Sequence, residues 1–270
     1  KEIELRIKNN ELRIVPESRQ HEILSLLKEG LQDISFSRPS KDLSWGVPVP
    51  GDPTQTMYVW AEALVNYISA LGYGSSDDSL FKKYWPADVQ VIGKDNLRFH
   101  AAIWPGMLLA AGLPLPKTVF VHGFLTVDGK KISKTVGNVV DPVELVKKYG
   151  TDAVRYYLLR EISPFEDGDF SYEKFETLYN GDLANGLGNF SARVLALVAK
   201  GGTIETDGAS AESSISAKIA ETKKLTDEKI SEFKFHEATA AAWDLIHFGD
   251  AYINEKKPWE TKDAVVVGNL

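Results

Sequence analysis

Three lysines, a serine and a threonine crowd into residues 130–135, as Lys130, Lys131, Ser133, Lys134 and Thr135, directly behind Asp128-Gly129. Lysine ammoniums are point charges on long stems. Hydroxyls and backbone N–H groups add short-range donors. Together such groups can grip a polyphosphate. The apolar run Thr118 to Val121 reads as a buried strand ahead of this stretch. Asp141-Pro142-Val143-Glu144 behind it reads as a helix start, with a capping aspartate, proline at the first helical position and a glutamate in the capping-box place. A Gly- and Lys-rich loop is therefore held between a strand end and a helix start. From residue types alone it is a phosphate grip or a solvated lysine loop.

Two further sets carry chemistry. Trp60, Ala63 and Tyr67 fall at helical spacing. Phe99, His100 and Trp104 lie along a second helical stretch with Asp95 at its entrance. Aromatic walls with a few polar groups suit a small apolar substrate that carries a polarisable atom, such as a thioether. Taken singly, each aromatic is better read as core, and His100 as a satisfied core histidine. Farther on, Asn185, Asn189 and Arg193 recur every four residues, and Trp259 sits in Lys256-Lys257-Pro258-Trp259. Amides, a guanidinium and an indole can read the edges and stack on the planes of unpaired bases. Ordinary helix-surface polarity is the alternative.

Lys131-Ile132-Ser133-Lys134-Thr135 resembles the KMSKS signature of class I aminoacyl-tRNA synthetases. The wider run from His122 through Asn138 to Asp141-Pro142 resembles the methionyl-tRNA synthetase family in particular. Ile132 replaces the usual Met and Thr135 the last Ser, which keeps an apolar residue and a hydroxyl. By this resemblance Lys131 and Lys134 are catalytic, with Ser133 and Thr135 in the ATP loop. Trp60, Ala63, Tyr67, Asp95, Phe99, His100 and Trp104 match the methionine and adenosine site. Asn189, Arg193 and Trp259 match the anticodon contacts. It implies ATP with Mg²⁺, L-methionine and tRNA(Met) as ligands, no zinc site in this chain, and a cytoplasmic setting.

Around these sets the chain must supply a frame. With 270 residues it can form one large domain or two modest ones. Hydrophobic residues at 43% and charged residues at 26% are ordinary for a globular protein. The absence of cysteine removes disulfides and thiolate metal sites from this chain. A net charge of −7 argues against a protein coated in nucleic acid but leaves room for local basic patches. No apolar run reaches membrane-spanning length.

Short strands are expected at Ile3 to Ile7 and Leu12 to Val15, and a helix from Glu17 to Lys28. Then follow a strand at Met57 to Trp60, a helix from Ala61 to Leu71, a strand at Val89 to Ile92, a helix from Asn96 to Ala111 and the strand at Thr118 to Val121. Strand, helix, strand, helix, strand is a parallel half-sheet, with ligands beyond its carboxyl ends. Helices are expected at Pro142 to Tyr149, Asp152 to Glu161, Tyr172 to Tyr179, Asp182 to Val198, Ile215 to Phe233 and His236 to Asn254.

The expected fold is α/β: the second half of a Rossmann-like parallel-sheet catalytic domain, followed by an α-helical anticodon-binding bundle. The resemblance divides the chain into the end of a connective insertion (1–36), the catalytic half with the KMSKS-like loop (37–140), a stem-contact-like linker (141–180) and a truncated helical domain (181–270). Class I synthetases also carry a His-x-Gly-His motif. The histidines here are His21, His100, His122, His236 and His247, and no pair flanks a glycine in that pattern. The chain is therefore expected to be a fragment of a methionine–tRNA ligase, inactive alone, with the missing N-terminal half as its partner and no membrane contact. Two rivals stand: another class I synthetase, for Leu, Ile, Val or Cys, and a non-catalytic tRNA-binding module.

Overall fold

A computed structural model describes residues 1–132, 139–201 and 211–260, with the backbone alone at Lys131 and Gly201. The chain divides into two compact units, Lys1–His122 and Gly123–Leu270. This single division falls at neither residue 36, 140 nor 180.

In the first unit, α1 (Glu2–Lys8) leads to β1 (Arg13–Val15) and α2 (Glu17–Glu29). An antiparallel sheet follows, with β2 (Ser37–Pro39) and β3 (Pro48–Val49) on either side of β4 (Asp52–Met57). Next come α3 (Val59–Ser69), α4 (Ser79–Tyr84) and β5 (Val89–Gly93). A 3₁₀ turn at Lys94–Asn96 and a π-helical stretch at Phe99–Ile103 run into α5 (Trp104–Ala110), and β6 (Thr118–His122) closes the unit. The second sheet is parallel, in the order β1-β6-β5, with Val15 opposite Phe120 and Gly93 opposite His122. Ile14, Ile92, Val119 and Val121 from its strands join Ile3, Ile7 and Ile23 from α1 and α2 in one core. On β5, an edge strand of this sheet, Val89 and Val91 are 39% and 61% exposed.

Three expectations for this unit are corrected. Ile3 to Ile7 is helical. Its alternation suggested a strand, but Ile3 and Ile7 are buried four apart while Leu5 is exposed, and Glu4–Lys8 and Glu2–Arg6 pair along the helix surface. Met57 to Trp60 is not a strand of the parallel sheet. The antiparallel β4 ends where Tyr58 donates its N–H to Phe36 O, and the Ala61 N–H bond to Tyr58 O already opens α3. The third parallel strand is β1, which lies in the segment 1–36. The helix expected from Asn96 to Ala111 changes winding on the way. Pro105 has no N–H to give the Ala101 carbonyl, and the turns just before it are wound as a π segment.

The second unit opens with the hairpin β7 (Leu125–Val127) and β8 (Lys130–Lys131), then α6 (Pro142–Tyr149) and α7 (Thr151–Arg160). β9 (Gly168–Phe170) pairs in parallel with β7. α8 (Tyr172–Leu178), a π-helical stretch at Tyr179–Gly188, α9 (Asn189–Gly201), α10 (Ser213–Ser231) and α11 (Phe235–Lys256) make the rest helical. The single helix expected from Asp182 to Val198 is thus wound in two ways, and glycines at 181, 186 and 188 loosen its first part. At α6 the Asp141 carboxylate accepts the Val143 N–H at 2.8 Å, whereas Glu144 pairs with Lys147 rather than closing a capping box. Val127, Leu145, Val154, Tyr157, Phe170 and Phe175 form the core beside the hairpin. No helix among the described residues is long and apolar enough to cross a membrane.

Candidate functional site

In the first unit, α3 and the π segment before α5 bring the aromatic set together. Trp60 stacks on Phe99 with ring centres 4.1 Å apart and planes 12° from parallel. Such a pair stabilises by about 0.5–1.5 kcal/mol beyond simple burial. His100 stands perpendicular to Trp60 at 6.1 Å, and Tyr67 meets His100 at 5.7 Å and Trp104 at 6.2 Å. Deeper in, Trp104 turns edge-on to Trp85, whose indole N–H donates to Pro114 O at 3.0 Å. The buried Trp104 N–H has no hydrogen-bond partner among the described residues. Toward the surface, Ala63, Tyr67 and Asp95 are exposed. Asp95 sits in the 3₁₀ turn after β5, and a Cβ on Gly93 would stand 3.0 Å from its Oδ1.

A hydrogen-bond chain fixes the polar end of this cluster. His100 Nδ1 lies 3.1 Å from the Asn96 carbonyl oxygen, which can only accept, so Nδ1 carries the proton. Burial holds the imidazole pKa below its ordinary value against the opposing pull of that carbonyl, which keeps the ring neutral. Nε2 is then an acceptor, and the Tyr67 hydroxyl 3.0 Å away donates to it. Burial also raises the Tyr67 pKa, so its proton stays in place. The one O–H of Tyr67 is thus directed at His100.

In the second unit, the hairpin turns through Asp128 and Gly129 at φ 49° and 70°. These left-handed values at both central residues mark a two-residue Asp-Gly hairpin turn. Asp169 on β9 anchors it. Its Oδ1 accepts Thr126 Oγ1–H at 2.6 Å and the Gly129 N–H at 2.7 Å, and these two bonds lower its pKa. Lys131 is the last residue of β8, and Ser133, Lys134 and Thr135 lie outside the described residues.

Farther along this unit, α9 and α11 flank a cavity of about 400 Å³ whose lining includes Asn185, Asn189, Arg193, His247 and Asp250. The Arg193 guanidinium lies 5.4 Å over the Trp259 ring centre. Its Nη1 donates to Asp250 Oδ1 at 2.8 Å and its Nη2 to Asn254 Oδ1 at 2.6 Å. Asn189, Arg193 and Trp259 therefore share one locality.

Sequence reasoning missed three polar partners: Asp169, Asp250 and Asn254. The Asp128-Gly129 pair between Thr126-Val127 and Lys130-Lys131 is a readable hairpin signal, but nothing local points to Asp169, 40 residues from Gly129. The i,i+4 repeat of Asp250 and Asn254 was a weak pointer to the others.

The class I tRNA synthetase (M) family model matches residues 1–195. A Thermotoga maritima methionine–tRNA ligase is 45% identical over 250 residues, covering 91% of this chain and 39% of that protein. The Clostridium perfringens methionine–tRNA ligase is 50% identical over 251 residues with the same shares. The chain thus spans about two fifths of the curated relatives it matches. Among solved structures, Mycobacterium tuberculosis methionyl-tRNA synthetase in complex with methionyl-adenylate aligns with a TM-score of 0.86 at 39% identity, covering 99% of this chain and 54% of that one. The apo form of that enzyme also aligns at 0.86, with 37% identity.

Proposed function

Because the chain belongs to the methionine family of class I tRNA synthetases, we propose that it is part of a methionine–tRNA ligase that makes methionyl-adenylate from L-methionine and ATP and passes the methionyl group to tRNA(Met). The methionine carboxylate attacks the α-phosphorus of ATP. A new P–O bond forms, the bond to the β-phosphate breaks, and pyrophosphate leaves. A terminal ribose hydroxyl of the tRNA then attacks the acyl carbon and AMP departs. No covalent enzyme intermediate is needed, so the protein acts by positioning and by stabilising charge.

The aromatic cluster of Trp60, Tyr67, Phe99, His100 and Trp104 carries this reading. In it the thioether rests against ring faces and edges, where sulfur packs well. Ala63 leaves room on the same helix, and Asp95 serves the polar end of methionine or the adenosine. Lys134 and Lys131, with Ser133 and Thr135, serve the triphosphate, and Mg²⁺ enters with ATP as part of the substrate. Asn189, Arg193 and Trp259 take an unpaired anticodon base. In domain terms, 1–36 ends a connective insertion, 37–140 is catalytic, 141–180 is a stem-contact linker and 181–270 is the anticodon domain. The His-x-Gly-His half is the partner that completes the active site, and the cytoplasm is its setting.

Amino-acid-dependent ATP–pyrophosphate exchange by the full-length parent protein tests this. Exchange with methionine, abolished by Lys134→Ala, is the expected result. Exchange with leucine, isoleucine, valine or cysteine instead, or exchange indifferent to Lys134→Ala, would overturn it.

A further inference from the structure

Half-buried Arg193 is held at more than one point. Asp250 and Asn254 lie one turn apart on α11 and take one N–H each from its two terminal nitrogens, at 2.8 and 2.6 Å. Asn254 Nδ2 also reaches Asp250 Oδ2 at 3.4 Å, tying the two acceptors to each other. The guanidinium carbon lies 5.4 Å over the centre of the Trp259 ring. Side-chain exposures of 32% for Arg193 and 48% for Asp250 leave this ion pair partly in water, where such a pair adds little to stability. Its effect is geometric. Two acceptors and one aromatic ring restrain the position of the planar fork. The rotamer freedom of a long side chain is given up before any ligand arrives.

We propose that Asp250 and Asn254 are positioning residues that pre-set Arg193 against Trp259, so that a single unpaired RNA base meets a ready-made stacking and hydrogen-bonding surface. This rests on the anticodon reading given above. Asn185 and Asn189, lining the same cavity, are amides suited to the base edge. The carboxylate of Asp250 repels phosphate, but with Arg193 across from it the pair presents no net charge. The base, rather than the backbone, is therefore the group it favours.

The test uses the whole 270-residue chain and two tRNA transcripts at one fixed salt concentration. One carries the methionine anticodon; the other is identical apart from its anticodon bases. Asp250→Ala should weaken binding of the first about tenfold, within the range one well-placed base contact confers. Binding of the second transcript should stay unchanged. Asp250→Asn keeps an acceptor oxygen and should recover most of the loss. In an Arg193→Ala background, Asp250→Ala should cost nothing more, a non-additivity that general destabilisation does not produce. Unchanged or tighter binding by Asp250→Ala, or an equal loss in the Arg193→Ala background, would overturn the proposal while leaving the anticodon reading intact. If Arg193→Ala itself binds both transcripts as the wild type does, the anticodon reading fails and the proposal falls with it.

Discussion

Tyr67 gives its only hydroxyl proton to a buried neutral histidine, and two predictions follow from that bond. Tyr67→Phe leaves His100 Nε2 without its donor. The chain should lose on the order of 0.5–1.5 kcal/mol of stability, read as a lower urea midpoint. In the full-length parent the methionine KM should rise as well; a lowered midpoint with an unchanged KM would separate Tyr67 from the substrate. The second prediction concerns pH. His100 has a folded pKa below its ordinary 6.5, so the unfolded chain binds its proton first. Its contribution to stability is complete above the unfolded value and is lost as pH falls below 6.5 toward the folded pKa. Wild-type chain should therefore lose stability over that window faster than His100→Gln does. Parallel pH profiles for the two would contradict this.

The junction between β6 and β7 admits no side chain. A Cβ on Gly123 would stand 2.0 Å from the Glu166 carbonyl oxygen and 2.7 Å from the Asp167 N, and these are backbone atoms that cannot swing aside. Gly123→Ala should cost about 1–3 kcal/mol, as overpacking does. It should also weaken exchange protection at Phe124 and Gly168, whose amides bond to Asp167 and to the Phe124 carbonyl. Sequence gave no warning of this contact, because its two sides are joined only by folding. Where punctuation was local, elements were legible. The helix Pro142–Tyr149 was read to the residue, because a capping aspartate, a proline and a glycine bracket it. Ile3 to Ile7 reads as a strand because so short a run holds too little periodicity to separate two from 3.6, and burial against the sheet decides for helix. That Trp60, Phe99, His100 and Trp104 would pack together was legible through helical spacing. Asp250 was not, since it lies 57 residues from the arginine it holds.

At the scale of the molecule, the chain covers about two fifths of its curated relatives, and its parallel sheet keeps Val89 and Val91 of β5 exposed. We expect residues 1–270 alone to show no methionine-dependent ATP–pyrophosphate exchange; measurable exchange by the purified chain would refute the need for a completing half. The strand order β1-β6-β5 has one more consequence, which concerns synthesis rather than catalysis. The central strand is the last of the three to be translated. Among the described residues β1 pairs only with β6, Arg13 meeting Thr118, and β5 likewise waits for it. While the ribosome works through this unit, two nascent strands stay without a neighbour in their sheet until Thr118 to His122 clear the exit tunnel. Translation pauses placed before that codon run should therefore prolong exposure to chaperones and proteases, and pauses placed after it should not.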